Sequence, residues 1–180
     1  MDHSIKHDDL MNKLAAHLRA NGDRMVWEDM QLGPSGSPRP DVYTLMKSYM
    51  HPLPTAYECK ISIADFRSDV TSGKWQKYFE FAGAVFFCTP KGLVQKSDIP
   101  NGCGLIWFYP DSGTFKTIKG PTLGRVTLPQ AALLKLLIDG LKRLQVPERR
   151  SWEQEHRMMQ QLRRRIGDEV SRLPPEQAER

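Results

Sequence analysis

The chain has 180 residues, of which 39% are hydrophobic and 26% charged, and its formal net charge at pH 7 is +5. This composition excludes a disordered or membrane-spanning chain, and no apolar run approaches the roughly 20 residues that a bilayer-spanning helix needs. The N-terminal residues MDHSIKHDDL lack the apolar stretch of a signal peptide. We therefore expect a cytoplasmic, nucleoid-associated protein, because a basic chain favours a polyanionic partner.

Hydrophobic periodicity and turn residues predict the elements of the fold. In chain order they are a helix over 4–21, strands over 24–33, 41–46 and 55–61, a helix over 64–70, a helical stretch over 74–83, strands over 84–90 and 103–111, a hairpin over 115–128, and helices over 130–146 and 151–173. The order predicts an α/β domain with a mixed central sheet and a helical C-terminal extension. We place the domain at residues 1–146 and the extension at 147–180.

Cysteine and histidine spacing indicates no metal centre of the zinc type. Cys59, Cys88 and Cys103 are widely spaced and odd in number, so they predict neither a disulfide framework nor a zinc site. We expect all three to be small buried hydrophobic residues. The five histidines are scattered, and we expect them to be structural or exposed.

The stretch YECK, residues 57–60, places two opposite charges on one face of a predicted inner strand. Alternation along the strand puts Glu58 and Lys60 on one face and Tyr57 and Cys59 on the other. If this strand pairs with the preceding one in antiparallel fashion, Asp41 comes close to Glu58 and Lys60.

Two carboxylates and an ammonium group in one place suit phosphodiester hydrolysis. Oxygen ligands favour Mg²⁺ or Mn²⁺, and the backbone carbonyl of Cys59 is a candidate further ligand. Lys60 can orient an attacking water or stabilise developing charge. Two simpler interpretations remain open: an exposed ion pair between Glu58 and Lys60, and a turn role for Asp41.

These residues resemble the PD-(D/E)XK nuclease superfamily. The matching residues are Pro40-Asp41, sixteen intervening residues, and then Glu58-Cys59-Lys60. The resemblance implies a restriction-endonuclease-like core, with the order αβββαβ, and a Mg²⁺-dependent deoxyribonuclease activity in which Mn²⁺ substitutes. It also implies that Asp41 and Glu58 hold the metal, that Lys60 lies beside the attacking water, and that DNA is the partner.

A second likeness covers about residues 25–110 and is to the MmcB-like DNA-repair branch of this superfamily. An E-x-K strand leads there into DFR-x-D and K-W-x-x-Y, which match residues 65–69 and 74–78. This chain departs from that pattern by Cys59 between the glutamate and the lysine and by the insertion at 71–73. The likeness implies a role in DNA repair, or in a mobile-element or phage setting.

The resemblance also suggests outer site residues. Members of the superfamily use an additional acid near the first helix, for which Glu28 is the candidate here. Arg67, Lys74 and Tyr78, after the E-x-K strand, are candidates for nucleic-acid binding, with capping or ion pairing as the alternative.

The C-terminal segment carries most of the net charge, since residues 142–172 hold nine Lys and Arg against five Asp and Glu. Arg163, Arg164 and Arg165 are candidates for contacts with the DNA backbone. The apolar stripe of the same predicted helix favours docking or a homodimer through the C-terminal helices. The alternative to a nuclease is a catalytically inactive nucleic-acid-binding or protein-interaction module on the same fold.

Overall fold

The computed structural model describes residues 5–142 and 159–160. Its elements are α1 (His7–Ala20), β1 (Arg24–Glu28), β2 (Val42–Met46), β3 (Thr55–Cys59), α2 (Ile63–Ser72), a 3-10 helix (Lys74–Glu80), β4 (Ala84–Pro90), β5 (Gly104–Tyr109), β6 (Thr114–Lys119) and α3 (130–142). The chain divides into two compact units, Met1–Lys135 and Leu136–Arg180, and the whole sheet belongs to the first. The predicted helix over 151–173, with Arg163, Arg164 and Arg165, lies outside the described residues apart from positions 159 and 160.

The six strands form one mixed sheet in which each strand neighbours the next in the chain. The pairs β1–β2, β2–β3 and β5–β6 are antiparallel, whereas β3–β4 and β4–β5 are parallel. The α2 helix and the 3-10 helix make the crossover from β3 to β4, as a parallel pair requires. The predicted α/β fold with a mixed sheet is confirmed.

Each face of the sheet is covered by apolar packing. On one face, buried residues of α1 and of the strands form a single cluster: Leu10, Leu14, Ala15, Leu18, Val42, Tyr57, Cys59, Cys88, Ile106 and Phe108. On the other face Phe66 of α2 meets Phe87 edge to face, with ring centroids 5.2 Å apart. All three cysteines are free and buried, as predicted.

The start and end of α2 follow from its sequence. The Ser62 side chain accepts a hydrogen bond from the Asp65 amide at 3.1 Å and so caps the N-terminus of the helix. Gly73 ends the helix with φ of 68°, a left-handed conformation that glycine adopts without steric cost. The helical stretch predicted after it is present as a 3-10 helix.

The predicted hairpin over 115–128 is wrong. Its first half forms β6, which pairs with β5 rather than with the segment that follows. Residues 120–129 contain neither helix nor strand. The amides of Thr122 and Gly124 instead bond to the carbonyls of Gly102 and Gly83. The strand β6 therefore pairs with the open edge of β5, and the local hairpin that the sequence predicted does not form. Within the described part of the chain, no helix has the length and apolar character needed to cross a bilayer.

The packing of α1 predicts a stability difference between two leucines. Leu14 is fully buried and Leu123 is 64% exposed. We expect Leu14→Ala to lower the free energy of unfolding by about 2–5 kcal/mol, and Leu123→Ala by less than about 1 kcal/mol. Urea denaturation followed by circular dichroism measures both values. Equal losses would contradict the burial of α1 against the sheet.

Candidate active site

Asp41 lies at the start of β2, where the antiparallel pairing with β3 brings it to the end of that strand. Val42 is opposite Tyr57 in this pairing, so the last residues of β3 run beside Asp41. The Cys59 amide donates a hydrogen bond to Asp41 Oδ2 at 2.6 Å. His7 Nε2, on the first residue of α1, lies 3.2 Å from the same oxygen. Asp41 is thus held by two partners, the Cys59 amide and the His7 ring, at the end of the β2–β3 pair.

Glu58 and Lys60 form a largely buried ion pair on the α2 face of the sheet. Lys60 Nζ donates to Glu58 Oε1 at 2.9 Å, and the two side chains are 9% and 12% exposed, lysine first. The Tyr78 hydroxyl, from the 3-10 helix, donates to Glu58 Oε2 at 2.6 Å. Both carboxylate oxygens of Glu58 therefore have a hydrogen-bond donor.

Two further carboxylates come from α2. Asp65 and Asp69 are four residues apart and share one face of the helix. Each has its Oδ2 atom 3.6 Å from Lys60 Nζ, but the Asp65 side chain is 52% exposed and that of Asp69 only 7%. Lys60 is consequently surrounded by three carboxylates.

The two carboxyl groups of the predicted metal site have raised pKa values. Burial raises the pKa of Asp41, and this effect exceeds the opposing effects of the Cys59 amide and of His7. Burial and the charge of Asp41 raise the pKa of Glu58 from 4.5 to about 7, although Lys60 and the Tyr78 hydroxyl act in the opposite direction. Asp41 precedes Val42 and Glu58 follows Tyr57 in the last β2–β3 pair, so the two carboxyl groups are neighbours across the strands.

The carboxylates of this cluster also shift the pKa values of Lys60 and His7. Burial acts to lower the pKa of Lys60, but Glu58, Asp69 and Asp65 outweigh it, so the pKa is raised and the ammonium stays charged at neutral pH. Burial likewise acts to lower the pKa of His7, and the neighbouring Asp41 carboxylate contributes to the net rise. Lys60 is therefore a cation rather than a proton acceptor at neutral pH.

The donor set fits a magnesium ion. Within residues 5–142 and 159–160, no three His, Cys, Asp or Glu side chains converge as a metal centre. Mg²⁺, however, is usually bound through one or two carboxylates and keeps several waters. Asp41 and Glu58 supply two carboxylates. The Cys59 carbonyl is on the same side of β3 as the Cys59 amide, which bonds to Asp41. Both groups lie beyond the last β2–β3 pair.

The structure places the outer candidates elsewhere. Glu28 is opposite Val42 and pairs with Arg19 of α1 at 2.7 Å, so it lies on the sheet face away from Glu58 and Lys60. Arg67 and Lys74 are exposed. Arg67 is two residues from Asp65 and therefore does not share its helix face. Tyr78 is buried and bonded to Glu58, which is a position inside the cluster rather than on the surface.

Sequence reasoning missed three residues of the cluster: Asp65, Asp69 and His7. The two aspartates had a signal, since the DFRSD segment puts them one helical turn apart. His7 had none, because its contact with Asp41 depends on how the start of α1 packs at the edge of the sheet. A histidine without nearby metal-ligand spacing gives no indication of a partner 34 residues away in the chain.

The raised pKa of Glu58 predicts a pH dependence of stability. The folded state holds this proton more tightly than the unfolded state, so the contribution of Glu58 to stability is fully present below pH 4.5 and is lost as the pH rises through about 7. We expect the free energy of unfolding to fall over this window, by at most about 1.4 kcal/mol per pH unit. Glu58→Gln removes this component. Urea titrations of both proteins between pH 4.5 and 8 measure it, and identical pH profiles would contradict the assignment.

Comparisons with known proteins establish a fold relative but no family. No protein-family model matches the chain, and no curated protein matches it. Among solved structures, it is similar to a protein of unknown function from Silicibacter pomeroyi, with 22% identity and a TM-score of 0.62. The match covers 82% of this chain and 94% of that one. This likeness supports the architecture of the sheet and its helices and says nothing about activity.

Proposed function

We propose that the protein is a Mg²⁺-dependent nuclease that hydrolyses phosphodiester bonds in DNA. The observation that carries the proposal is the convergence of Asp41, Glu58 and Lys60 at the end of β3, in partly desolvated positions with perturbed pKa values. The sequence of helix, three strands, helix and strand agrees with a restriction-endonuclease-like core. Mn²⁺ is expected to substitute for Mg²⁺.

Lys60 acts as a charge-stabilising group in this proposal. An ammonium with a raised pKa cannot accept a proton from water at neutral pH. It can donate hydrogen bonds to an attacking water and to a phosphate oxygen, where negative charge accumulates in the transition state. Its burial makes that interaction stronger than it would be in bulk water.

Asp41 and Glu58 would hold the metal. The Cys59 amide fixes the position of Asp41, and the Tyr78 hydroxyl fixes that of Glu58, so both carboxylates are oriented before any ligand arrives. Bound there, Mg²⁺ would neutralise phosphate charge and activate a water as nucleophile. The protein's own contribution is the orientation of the two carboxylates and the placement of Lys60 beside them.

DNA is the proposed substrate because the chain is positively charged and because its motifs resemble those of the PD-(D/E)XK nucleases. The chain carries a net charge of +5, and Arg67 and Lys74 are exposed near the segments that supply Asp69 and Tyr78. Contacts of this kind neutralise phosphates without reading sequence. The MmcB-like motifs support a role in DNA repair or on a mobile element, and the basic charge of the chain supports a place at the nucleoid in the cytoplasm.

One observation favours a second candidate, a nucleic-acid-binding module without catalysis. Both oxygens of Glu58 are already bonded, one to Lys60 and one to Tyr78. A closed ion pair of this kind can persist as a structural element. Such a module would retard DNA in a gel shift and would leave the DNA intact when Mg²⁺ or Mn²⁺ is added.

Site variants separate the two candidates. We expect Asp41→Asn and Lys60→Met to lower the cleavage rate of plasmid or single-stranded DNA in Mg²⁺ by about 10²–10⁴-fold, since each removes a ligand or a charge that acts in the transition state. Glu80→Gln, a similar charge removal on an exposed residue, serves as the control and keeps the wild-type rate.

The measurement is the initial rate of cleavage, with an RNA of the same sequence as a second substrate. Cleavage of DNA by both site variants at the wild-type rate would contradict the nuclease proposal. Faster cleavage of the RNA than of the DNA would indicate that RNA, rather than DNA, is the substrate.

A further inference from the structure

One buried carboxylate oxygen in the cluster is unsatisfied. Asp69 is 7% exposed, and its Oδ2 atom has no hydrogen-bond partner among the residues that the structure describes. The Ser72 hydroxyl bonds to the backbone carbonyl of Asp69 and leaves the carboxylate unchanged. A buried charged oxygen without a donor costs free energy, so its presence at this position calls for a physical reason.

The nearest cation to that oxygen is Lys60, whose ammonium is directed elsewhere. Lys60 Nζ is 2.9 Å from Glu58 Oε1 and 3.6 Å from Asp69 Oδ2. The first distance is that of a hydrogen bond and the second is that of an ion pair without one. An ammonium has three donors, so Lys60 can serve both carboxylates in turn with a small movement.

A divalent cation at Glu58 would change this balance. The metal and the Lys60 ammonium compete for the same carboxylate, and two cations repel each other strongly at such distances in a partly buried site. Lys60 must then move away from Glu58. A displacement of about 0.8 Å toward Asp69 brings Nζ to the length of a charge-assisted hydrogen bond.

We propose that Asp69 is a positioning residue that accepts Lys60 when a divalent cation binds Glu58, and so keeps the ammonium beside the reacting phosphate. This inference rests on the proposed metal-dependent function. It accounts for the unsatisfied oxygen, because that oxygen is the acceptor used in the metal-bound state.

Asp65 is the weaker acceptor although it lies at the same 3.6 Å from Lys60 Nζ. Its side chain is 52% exposed, so water already solvates its carboxylate and screens its attraction for the lysine. Asp69 has no water access of that extent, and its Oδ2 atom has no hydrogen-bond donor within the described part of the chain. The pair Asp65 and Asp69 therefore provides a matched comparison within one helix.

The test measures the affinity of the metal-free protein for Mn²⁺ by isothermal titration calorimetry, without DNA. In Asp69→Asn the side chain keeps its shape but loses its charge, so Lys60 stays on Glu58 and opposes the metal. We expect the dissociation constant to rise about 10-fold or more, as for other groups that support metal ligands. For Asp65→Asn we expect a change of less than about threefold.

A double-mutant cycle distinguishes positioning from a general structural effect. In the Lys60→Met background there is no ammonium to hold, so Asp69→Asn should change Mn²⁺ affinity by less than about twofold. An equal loss of affinity with and without Lys60 would overturn the proposal, because Asp69 would then act on the metal or on folding directly.

A crystal structure of the wild type with Mn²⁺ gives a readout that needs no variant. We expect Lys60 Nζ within about 3 Å of Asp69 and separated from Glu58. Mn²⁺ bound at Asp41 and Glu58 with Lys60 still on Glu58 would overturn this inference and leave the proposed function standing. Absence of Mn²⁺ binding by the wild type would instead overturn the proposed function and, with it, the role of Asp69.

Discussion

The pairing of β2 with β3 is the constraint on which the rest of the site depends. With Val42 opposite Tyr57, Tyr57 and Cys59 of β3 face α1, and Glu58 faces α2. A slip of one residue would reverse every side chain of β3 and would place Glu58 in the α1 core. The same pairing ends at Val42, so the Cys59 amide has no strand partner on that side and bonds to Asp41 instead. The end of a hydrogen-bond ladder thus becomes the place where the carboxylates meet.

The burial of charge at this place is difficult to explain as stabilisation alone. Removing an ion pair from water usually costs as much as the pairing returns, and apolar residues of similar volume would serve stability equally well. Here Lys60 has three carboxylate neighbours, Asp41 lies beside Glu58 on the neighbouring strand, and the pKa of Glu58 rises to about 7. An exposed ion pair, the simpler interpretation of YECK, does not describe side chains that are 9% and 12% exposed. Such an arrangement is typical of functional sites.

The parts of this structure that could be predicted from the sequence are those set by local patterns. Alternation in YECK was enough to separate Glu58 and Lys60 from Tyr57 and Cys59, and the helical pattern over 64–70 was enough to locate α2. The contact of His7 with Asp41 and the bond from Tyr78 to Glu58 join residues 34 and 20 positions apart, and only tertiary packing brings them together. The hairpin over 115–128 failed for the same reason, because the open edge of β5 was a better partner for β6 than the local segment.

The α2 helix both packs on the sheet and supplies two carboxylates of the candidate site. Phe66 packs on Phe87 and fixes the rotation of the helix, and that rotation directs Asp69 toward Lys60. A helix that served only as cover for the sheet would need apolar residues on this face, and a carboxylate there would lower stability. The likeness to a protein of unknown function does not show whether α2 only covers the sheet or also takes part in a reaction, because one fold supports many functions. The carboxylate of Asp69, costly to bury and placed 3.6 Å from the Lys60 ammonium, about 0.8 Å beyond the length of a charge-assisted hydrogen bond, is the feature that favours chemistry.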